Sequence, residues 1–390
     1  MFRMPRKNIL FVLPSLGRGG AEIQVIDLVN TLDSSRFHKF LLTFEPNLSL
    51  YDQIRHGDVT YIHHPRMSKL DLSAARVIGR LIDDQKIDIV HCSLQIAFLI
   101  GWLGMRFARR KPKLILALHT TLTRHRKDYY LDQYFYQWLM RSCDRIICVC
   151  KNQETYWRRR FTFLRKKTQV IYNGIDSNYF NPAEFTQSRP VVRAKLGIPL
   201  EAAVICNIAG FRTEKGHKIL IGAFAHVLAK HPDSFLLLAG DGRLRQEMEE
   251  YACSLSISDN IRFLGNVTDV RPILAASDCS VIASIAESFS IAMLESMAMA
   301  IPLVATNVGG TTEAVLDGRT GLVVEANDSA ALIQALSKLL KNATLCHTLG
   351  TNARRFVQAN FTKAMMLQKT ADVLEGNKIS SDIINNETSL

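Results

Sequence analysis

The chain of 390 residues lacks an apolar run long enough to cross a bilayer. Its longest charge-free apolar stretch, residues 92–105, has 14 residues, whereas a spanning helix needs about 18 or more. An apolar run at 9–13 follows basic residues, as in a signal peptide, but Pro14 ends it and no cleavage site of small residues follows. The start of the chain therefore predicts a buried first strand, and no segment predicts a membrane span.

The sequence also lacks the usual marks of zinc, dinucleotide and nucleic-acid binding. None of its eight cysteines forms a C-x-x-C pair, and no P-loop, G-x-G-x-x-G fingerprint, zinc finger or RRM signature occurs. A zinc site and a nucleic-acid partner are therefore not expected. Scattered cysteines in apolar runs are typical of core residues in a reducing compartment, which favours a cytoplasmic protein.

Positive charge is in excess, and the excess is confined to one half of the chain. The formal net charge is +12, of which residues 1–190 contribute +14 and residues 191–390 contribute −2. The basic residues concentrate at 106–113, 124–127 and 158–167. Such runs are most often solvated faces, and the alternative is contact with an anionic surface. We predict peripheral docking on anionic membrane through 106–113 and 158–167, because Phe161, Phe163 and Leu164 lie among the basic residues.

Short apolar runs alternate with helical stretches through both halves, a pattern typical of parallel sheets covered on two faces. With 47% apolar and 22% charged residues, a chain of this length fills two or three cores. Strands are predicted at 8–13, 40–44, 59–62, 87–91, 114–119, 145–149, 168–172, 203–209, 235–239, 261–264, 279–283, 303–305 and 322–324. The pattern predicts an α/β fold of two doubly wound, Rossmann-like domains facing across a cleft.

A stretch without periodicity separates the two halves. Residues 173–190 are rich in Asn, Asp, Pro and Ser, which is typical of a hinge. We therefore predict an N-terminal domain at 1–185, a C-terminal domain at 186–375 and a frayed polar tail at 376–390.

Two turns that follow predicted strands carry residues suited to anions. The first includes Gly19 and Gly20 and opens a helix; glycines let a ligand approach the backbone, although a plain tight turn has the same composition. The second places Lys215 just before a helix in the other half, where an ammonium and the helix dipole can act on one phosphate. A solvated lysine that caps the turn is the alternative.

The most specific pattern is a pair of glutamates at the start of a helix. Glu287 closes the turn after a predicted strand, Ser288 or Ser290 can cap the helix, and Glu295 lies among apolar residues. A carboxylate in such surroundings is costly unless it is hydrogen-bonded. Carboxylates that flank a helix start can accept the hydroxyls of a polyol, and the amides between them can bind phosphate, which together describe a sugar-nucleotide site.

This pair resembles the E-x7-E signature of the retaining GT-B glycosyltransferases of family 4. Further segments agree with that family in order, over about residues 8 to 375. They are the glycine loop with Gly19 and Gly20, the N-G-I-D segment at 173–176, the K-G turn at 215–216, the G-D-G turn at 240–242, and the segments 308–313 and 317–321. In this family the last helix can pack back on the N-terminal domain.

The resemblance implies a role for each matched residue. Glu295 would bind the ribose hydroxyls of the donor, and Glu287 would contact hydroxyls of the transferred sugar. The diphosphate would lie against Ser288 and the amides of Phe289, Ser290 and Ile291, with Lys215 beside it. The glycine loop would close over the phosphates, and His119, at the end of a strand, would face the donor sugar.

The resemblance also implies the reaction, with one departure. The family arginine that binds the diphosphate corresponds to Gly210 here, and the nearest arginine is Arg212. No D-x-D occurs, so neither metal nor cofactor is expected, and the departing phosphate itself would help to deprotonate the acceptor. The expected enzyme is a retaining hexosyltransferase that uses a UDP- or GDP-sugar and a glycan or lipid-linked acceptor, in polysaccharide or glycolipid synthesis, on the inner face of the cell membrane. A non-transferring 2-epimerase and a non-enzymatic sugar-nucleotide-binding module are the alternatives.

Overall fold

The chain forms two compact units in the computed structural model, which describes residues 6–17, 19–68, 71–119, 130–185 and 187–377. The first unit contains the described residues of Met1–Tyr172 and Met366–Ser381, and the second contains those of Asn173–Met365. Each unit is built around a parallel sheet.

The first unit alternates strands and helices along the chain. Its strands are β1 (Lys7–Val12), β2 (Phe37–Thr43), β3 (Val59–His63), β4 (Ile89–Ser93), β5 (Lys113–Leu118), β6 (Arg145–Cys148) and β7 (Thr168–Val170). Its helices are α1 (Gly20–Thr31), α2 (Ser73–Asp84), α3 (Gln95–Phe107), α4 (Gln137–Met140) and α5 (Lys151–Arg160), with a π-helical segment, Leu131–Tyr136, before α4.

The seven strands lie in the order β3-β2-β1-β4-β5-β6-β7, and every pair is parallel. Alternate residues of each strand enter opposite cores: Leu10 and Val90 lie in one, and Ile9 and Ile89 lie in the other. This two-sided burial explains why the strands are almost continuously apolar. The strand order reverses between β1 and β4, the position at which open α/β sheets bind ligands.

The second unit repeats this design. Its strands are β8 (Ala203–Ile208), β9 (Ser234–Ala239), β10 (Ile261–Gly265), β11 (Cys279–Ile282), β12 (Leu303–Thr306) and β13 (Leu322–Val324). Its helices are α6 (Ser188–Lys195), α7 (His217–Lys230), α8 (Arg245–Ser254), α9 (Arg271–Ala276), α10 (Ile291–Ala298), α11 (Thr311–Ala314), α12 (Ser329–Leu340) and α13 (Ala343–Asn360). The parallel order β10-β9-β8-β11-β12-β13 reverses between β8 and β11. The prediction of two doubly wound α/β domains is confirmed.

The stretch 173–190 is tied to the second unit. The Arg271 guanidinium lies 3.6 Å from the centre of the Tyr179 ring, and Arg354 Nη1 donates to the Phe180 carbonyl at 2.7 Å. Helix α6 begins at Ser188, within this stretch. The polar composition that predicts a hinge therefore occurs in a segment held by cation–π and hydrogen-bond contacts.

The last helix, α14 (Lys363–Glu375), contributes to the core of the first unit. Met366, Ala371 and Leu374 are buried there with strand residues of the first sheet. Lys7 Nζ also donates to the Glu375 carbonyl at 3.0 Å. The core around the first sheet therefore includes residues from both ends of the described chain.

The basic segment 158–167 turns its apolar side chains inward. Phe161 and Leu164 are buried in the first unit, and Lys167 Nζ donates to the Cys143 carbonyl at 2.8 Å. Two of the three apolar residues that favoured this segment as a membrane contact therefore fill the core. The predicted basic run 124–127 lies outside the described residues, as does the predicted tail 376–390 except for its first two residues.

Within the part of the chain that the structure describes, no helix is both long and apolar enough to cross a bilayer.

Candidate active site

The candidate residues fall into two sets, one at the carboxyl edge of each sheet. The second-unit set comprises Arg212, Lys215, Glu287, Ser288, Phe289, Ser290, Ile291 and Glu295, in loops and a helix that follow β8 and β11. The first-unit set comprises Gly19 and Gly20 after β1 and His119 after β5. The second-unit set therefore flanks the reversal point of its sheet, the usual ligand position in such folds.

Lys215 is held beside the strand β11 by its own loop. It ends a short 3₁₀ turn, Thr213–Lys215, and Gly216 follows with a φ of +68°. A Cβ at Gly216 would collide with the Ala283 carbonyl oxygen, so the chain passes this point only as glycine. The Glu214 carbonyl also accepts the Ile285 amide at 2.8 Å. The loops after two neighbouring strands are thereby fixed against each other.

Lys215 and Glu287 form an ion pair at this junction. The Lys215 ammonium donates to Glu287 Oε2, and both side chains are largely buried. The pair places one cation and one carboxylate at the start of α10. A diphosphate that competes for the ammonium would leave Glu287 available to accept sugar hydroxyls.

The start of α10 presents backbone amides beside this pair. Ser290 is the N-cap and accepts the Met293 amide at 3.3 Å, so of the two predicted caps the structure uses Ser290. Asn173 Nδ2 donates to the Phe289 carbonyl at 2.8 Å. Amides in the first turn of a helix have no partner within that helix, so the N-terminus is suited to an anion.

A glycine turn packs against the backbone of Glu287 and Ser288. Gly309 has a φ of +56°, and a Cβ there would collide with the Glu287 carbonyl oxygen. Gly310 donates to the Ser288 carbonyl at 2.8 Å. The Gly309–Gly310 turn therefore sets the path of the chain between the two glutamates.

Glu295 lies in the second turn of α10 and is mostly buried. Its carboxylate makes no hydrogen bond or ion pair with any described residue. Burial, together with the charge of Asp269, raises the pKa of Glu295 to about 7. A buried carboxylate without a partner is costly, and a ligand that donates two hydroxyls would relieve the cost.

Arg212 lies close to the position that the family arginine would occupy. A Cβ on Gly210 would lie 3.9 Å from Arg212 Nε. The Arg212 side chain is half exposed, and its Nε lies 3.4 Å from Glu214 Oε1. The Arg212 side chain therefore passes close to the backbone at position 210 and lies beside Glu214.

A further cation near this loop, Arg243, was not predicted from the sequence pattern. Arg243 Nη2 donates to Thr213 Oγ1 at 3.3 Å. The sequence feature that could have indicated Arg243 is its position directly after the Gly240-Asp241-Gly242 turn. The two glycines adopt φ values of +145° and +154° and pack against the backbone of residues 209–211. That turn brings Arg243 to the same loop that carries Arg212 and Lys215.

Among the described residues, the first-unit set contains no cation, and Arg18, next to Gly19, lies outside them. Gly19 is the N-cap of α1 and Gly20 is its first residue. A Cβ at Gly19 would collide with the Glu22 carboxylate, which lies over the start of the helix. The Glu22 carboxylate of α1 itself therefore occupies the space next to this N-terminus.

His119 follows β5 on the same face of the sheet as His91 and Ser93. Burial lowers the pKa of His119 to about 4 and that of His91 to about 3, with a smaller effect of His119 on His91. Among described residues, His119 Nε2, His91 Nδ1 and Ser93 Oγ are buried without a hydrogen-bond partner. The sequence pattern did not indicate His91 and Ser93, since a strand pattern alone does not show which strand ends are neighbours. Neutral imidazoles and a hydroxyl can donate to, or accept from, uncharged hydroxyl groups.

Comparison with known proteins assigns the family. The model for Glycosyl transferases group 1 matches residues 188–356, and the model for Glycosyltransferase Family 4 matches residues 18–179. Among similar proteins is the N-acetyl-alpha-D-glucosaminyl L-malate synthase of Bacillus anthracis, 28% identical over 79% of this chain and 81% of that protein. Another is the lipopolysaccharide core biosynthesis mannosyltransferase LpcC of Rhizobium leguminosarum bv. viciae, 29% identical over 66% of this chain and 69% of that protein.

The solved structures agree on the architecture. HepE of Anabaena, crystallised with UDP and glucose, superimposes with a TM-score of 0.83 over 95% of this chain and all of that chain, at 22% identity. Two family models that together span both units, and a shared architecture, lead to one conclusion: the chain belongs to the family 4 glycosyltransferases and has the GT-B fold.

Proposed function

We propose that this enzyme is a retaining hexosyltransferase that moves a sugar from a UDP- or GDP-activated donor to a glycan or lipid-linked acceptor, in polysaccharide or glycolipid synthesis. The observation that carries the donor assignment is the junction of Lys215 and Glu287 at the start of α10, with the unpartnered Glu295 one turn away. A cation, helix amides and two carboxylates match a diphosphate, a sugar and a ribose. HepE, of the same fold, was crystallised with UDP-glucose.

In the proposed site, each residue has one task. Glu295 accepts the ribose hydroxyls, and Glu287 accepts hydroxyls of the transferred sugar. Lys215, Arg212 and the amides at 289–291 stabilise the leaving diphosphate, the role that usually contributes most to catalysis. The neutral His119 and the loop of Gly19 and Gly20 act from the first unit, His119 on the donor sugar and the glycines on the phosphates.

The proposed reaction uses a single face of the sugar. The bond between the anomeric carbon and the diphosphate oxygen breaks, and a bond to the acceptor oxygen forms on the same face. The acceptor proton passes to an oxygen of the departing diphosphate, so the configuration is retained and no covalent enzyme intermediate is needed. We propose that cations and amides of the chain, without a metal ion or cofactor, balance the charge of the diphosphate.

The acceptor and the location belong to the same proposal. LpcC is named for lipopolysaccharide core synthesis, which favours a glycan on a lipid, and the charge of +14 on residues 1–190 favours an anionic membrane surface at the inner face of the cell membrane. The N-acetyl-alpha-D-glucosaminyl L-malate synthase of Bacillus anthracis is named for a product that contains L-malate, a small soluble acid. A soluble acceptor is therefore included in the test.

The test begins with a panel of UDP- and GDP-sugars, scored by thermal stabilisation of the enzyme. A donor at 100 times its Kd should add about 2.7 kcal/mol to the free energy of unfolding. The best donor is then incubated with and without lipid-linked and soluble acceptors, and release of nucleoside diphosphate and the anomeric configuration of the product are measured. Chelation of divalent ions should leave the rate unchanged.

The outcomes separate the candidate functions. Release that requires an acceptor, with a retained anomeric configuration, supports the proposal. Release without any acceptor points to an epimerase-like reaction, stabilisation without release points to a binding module, and an inverted product excludes the single-face route.

A further inference from the structure

A ridge of exposed aromatic rings lies on the first unit, apart from the candidate active site. Tyr130 directly precedes the π-helical segment, Tyr134 lies in it and Trp138 lies in α4, so the three recur every fourth residue. They are 57%, 71% and 54% exposed. The rings of Tyr130 and Tyr134 stack at 6.2 Å between centroids, and Trp138 meets Trp102 of α3 edge-on at 5.4 Å. We name these four residues the aromatic ridge.

Helix α3 continues the apolar surface beside the ridge. No charged residue occurs from Gln95 to Met105, and Leu99, Trp102 and Leu103 are each only partly buried. A surface helix of a globular protein normally presents polar residues to water. Large exposed apolar patches mark sites of interaction with another surface, so α3 and the ridge together form one candidate site.

Basic side chains border this surface on one side. The Arg106 guanidinium lies over the Trp102 ring, 4.8 Å from its centroid. Arg109 follows, and its amide donates to Asp83 at 3.0 Å, which fixes the turn after α3. Residues 95–113 include five basic residues and no acidic residue. Arg110 pairs with Asp88 at 3.6 Å, which leaves Arg106 and Arg109 as the arginines that can meet a partner. The surface is therefore aromatic and cationic at once.

Exposed aromatic rings beside arginines indicate which partner this surface binds. Tyrosine and tryptophan are enriched where a bilayer meets water, because one end of the ring is apolar and the other is polar. Arginine beside them attracts anionic headgroups. The alternative occupant is a second copy of this chain, which would meet the same patch across a symmetric interface. Such an interface would bring the arginines of both copies together, and like charges repel. Charge complementarity therefore favours anionic lipid.

We propose that the aromatic ridge and Arg106 and Arg109 dock this enzyme on an anionic lipid bilayer, with the rings in the headgroup layer. The surface replaces segment 158–167 as the apolar part of the contact, because that segment buries Phe161 and Leu164. The proposal deepens the membrane location given under the proposed function and rests on it, but it is tested without donor or acceptor.

The segment that carries the aromatic ridge lies close to His119, which relates membrane docking to the candidate active site. Tyr136 and Met140, on the inner side of the same segment, line a small cavity together with His119. Residues 131–140 therefore present Tyr134 and Trp138 to the bilayer. Tyr136 and Met140 of the same stretch lie beside His119 at the carboxyl edge of the first sheet. A lipid-linked acceptor held at the membrane would then be close to His119.

The first experiment measures co-sedimentation with vesicles of equal parts phosphatidylglycerol and phosphatidylcholine, against vesicles of phosphatidylcholine alone. Wild type should bind the anionic vesicles and lose binding at high salt. Tyr134→Ser with Trp138→Ser, and separately Arg106→Ser with Arg109→Ser, should each weaken binding by roughly tenfold or more.

Matched controls carry the same kinds of change elsewhere. Arg76→Ser with Arg80→Ser removes two exposed arginines from the neighbouring helix α2, and Val191→Ser with Leu200→Ser removes two exposed apolar side chains from the second unit. Both controls should bind as wild type does. Stabilisation by the best donor should be unchanged in every variant, which separates a failure of docking from a failure of the proposed transferase.

A second readout uses the three tryptophans of the chain. Trp157 is buried, whereas Trp102 and Trp138 belong to the ridge. Brominated lipid should quench the emission of wild type, and Trp138→Phe should lose a large part of that quenching. Wild type that remains in the supernatant at low salt, or ridge variants that sediment like wild type, would overturn the proposal. Ridge-dependent self-association in solution without vesicle binding would assign the surface to a second copy instead.

Discussion

The carboxyl edges of the two sheets have the same topology, but the side chains at the ends of β8 and β11 differ in charge from those at the ends of β4 and β5. In the second unit, the loops after β8 and β11 bring together Arg212, Lys215 and Glu287, with Glu295 nearby. In the first unit, the ends of β4 and β5 bring together two histidines whose pKa values are lowered to about 3 and 4. Among the described residues, the ends of β8 and β11 therefore carry cations and carboxylates, whereas the ends of β4 and β5 carry neutral polar groups.

The difference shows that the fold supplies a position and the side chains supply the chemistry. A charged edge suits a diphosphate, which carries charge when it leaves. A neutral edge suits hydroxyl groups, whose hydrogen bonds do not need a counter-charge. The five predictions below test this division, beginning with the largest expected effect.

The most direct test is whether Lys215, the cation at the ends of β8 and β11, is needed for transfer. Lys215→Ala should lower kcat/KM by about 100-fold to 1,000-fold, since the leaving diphosphate loses a stabilising cation. Steady-state transfer assays check this, with Lys218→Ala, an exposed lysine on α7, as the control. A loss of less than about threefold would place the clamp elsewhere.

Removal of Glu295 tests whether this edge recognises the nucleoside. Glu295→Ala should weaken binding of the bare nucleoside diphosphate by about 10-fold to 100-fold, the cost of lost hydrogen bonds to a charged group. Titration calorimetry measures the affinity, and the exposed Glu247→Ala is the control. Wild-type affinity in a folded Glu295→Ala protein would contradict the ribose assignment.

The neutral edge should affect turnover but not nucleotide affinity. His119→Gln should lower kcat by about tenfold or more and leave the Kd for nucleoside diphosphate unchanged. Because burial holds the pKa of His119 near 4, the wild-type rate should show no step from this group between about pH 5 and 8. A step that disappears in His119→Gln, but not in the exposed His56→Gln, would show that the imidazole is charged in that range.

The displaced arginine offers a finer test of the charged edge. Arg212→Ala should lower kcat/KM by about fivefold to tenfold, less than Lys215→Ala, because the Arg212 side chain is half exposed. Adding Gly210→Arg to this variant should restore part of the activity, since a side chain at 210 starts beside the Arg212 guanidinium. No loss in Arg212→Ala would leave Arg243 as the second cation.

The smallest effect concerns stability. The folded-state pKa of Glu295, about 7, exceeds its ordinary value of 4.5, so the folded protein holds a proton that the unfolded chain releases. The resulting contribution to the free energy of unfolding is fully present below pH 4.5 and is lost as the pH rises through 7. The loss is about 1 kcal/mol for a group that retains some contact with water. Denaturant unfolding at several pH values should show a flatter dependence in Glu295→Gln than in wild type.

The sequence by itself determined the local pattern of this protein. Each of the thirteen strands in the described residues was predicted within three residues of its observed start. Two-sided burial imposes short apolar runs, which can be recognised without knowing the partner strand. The turns with Gly216 and Gly309 were also visible, since only glycine tolerates their conformation. The pair of Glu287 and Glu295, together with the order of these and the other matched segments, was enough to predict the family.

Only the tertiary structure decided which of these elements touch. The ion pair of Lys215 and Glu287 joins residues 72 positions apart, and the aromatic ridge joins Trp102 to Trp138. Burial of Phe161 within a basic run likewise depends on what lies beneath it. A one-dimensional pattern records the preference of each residue for water or core, whereas contacts and pKa shifts arise from the neighbours that folding brings together.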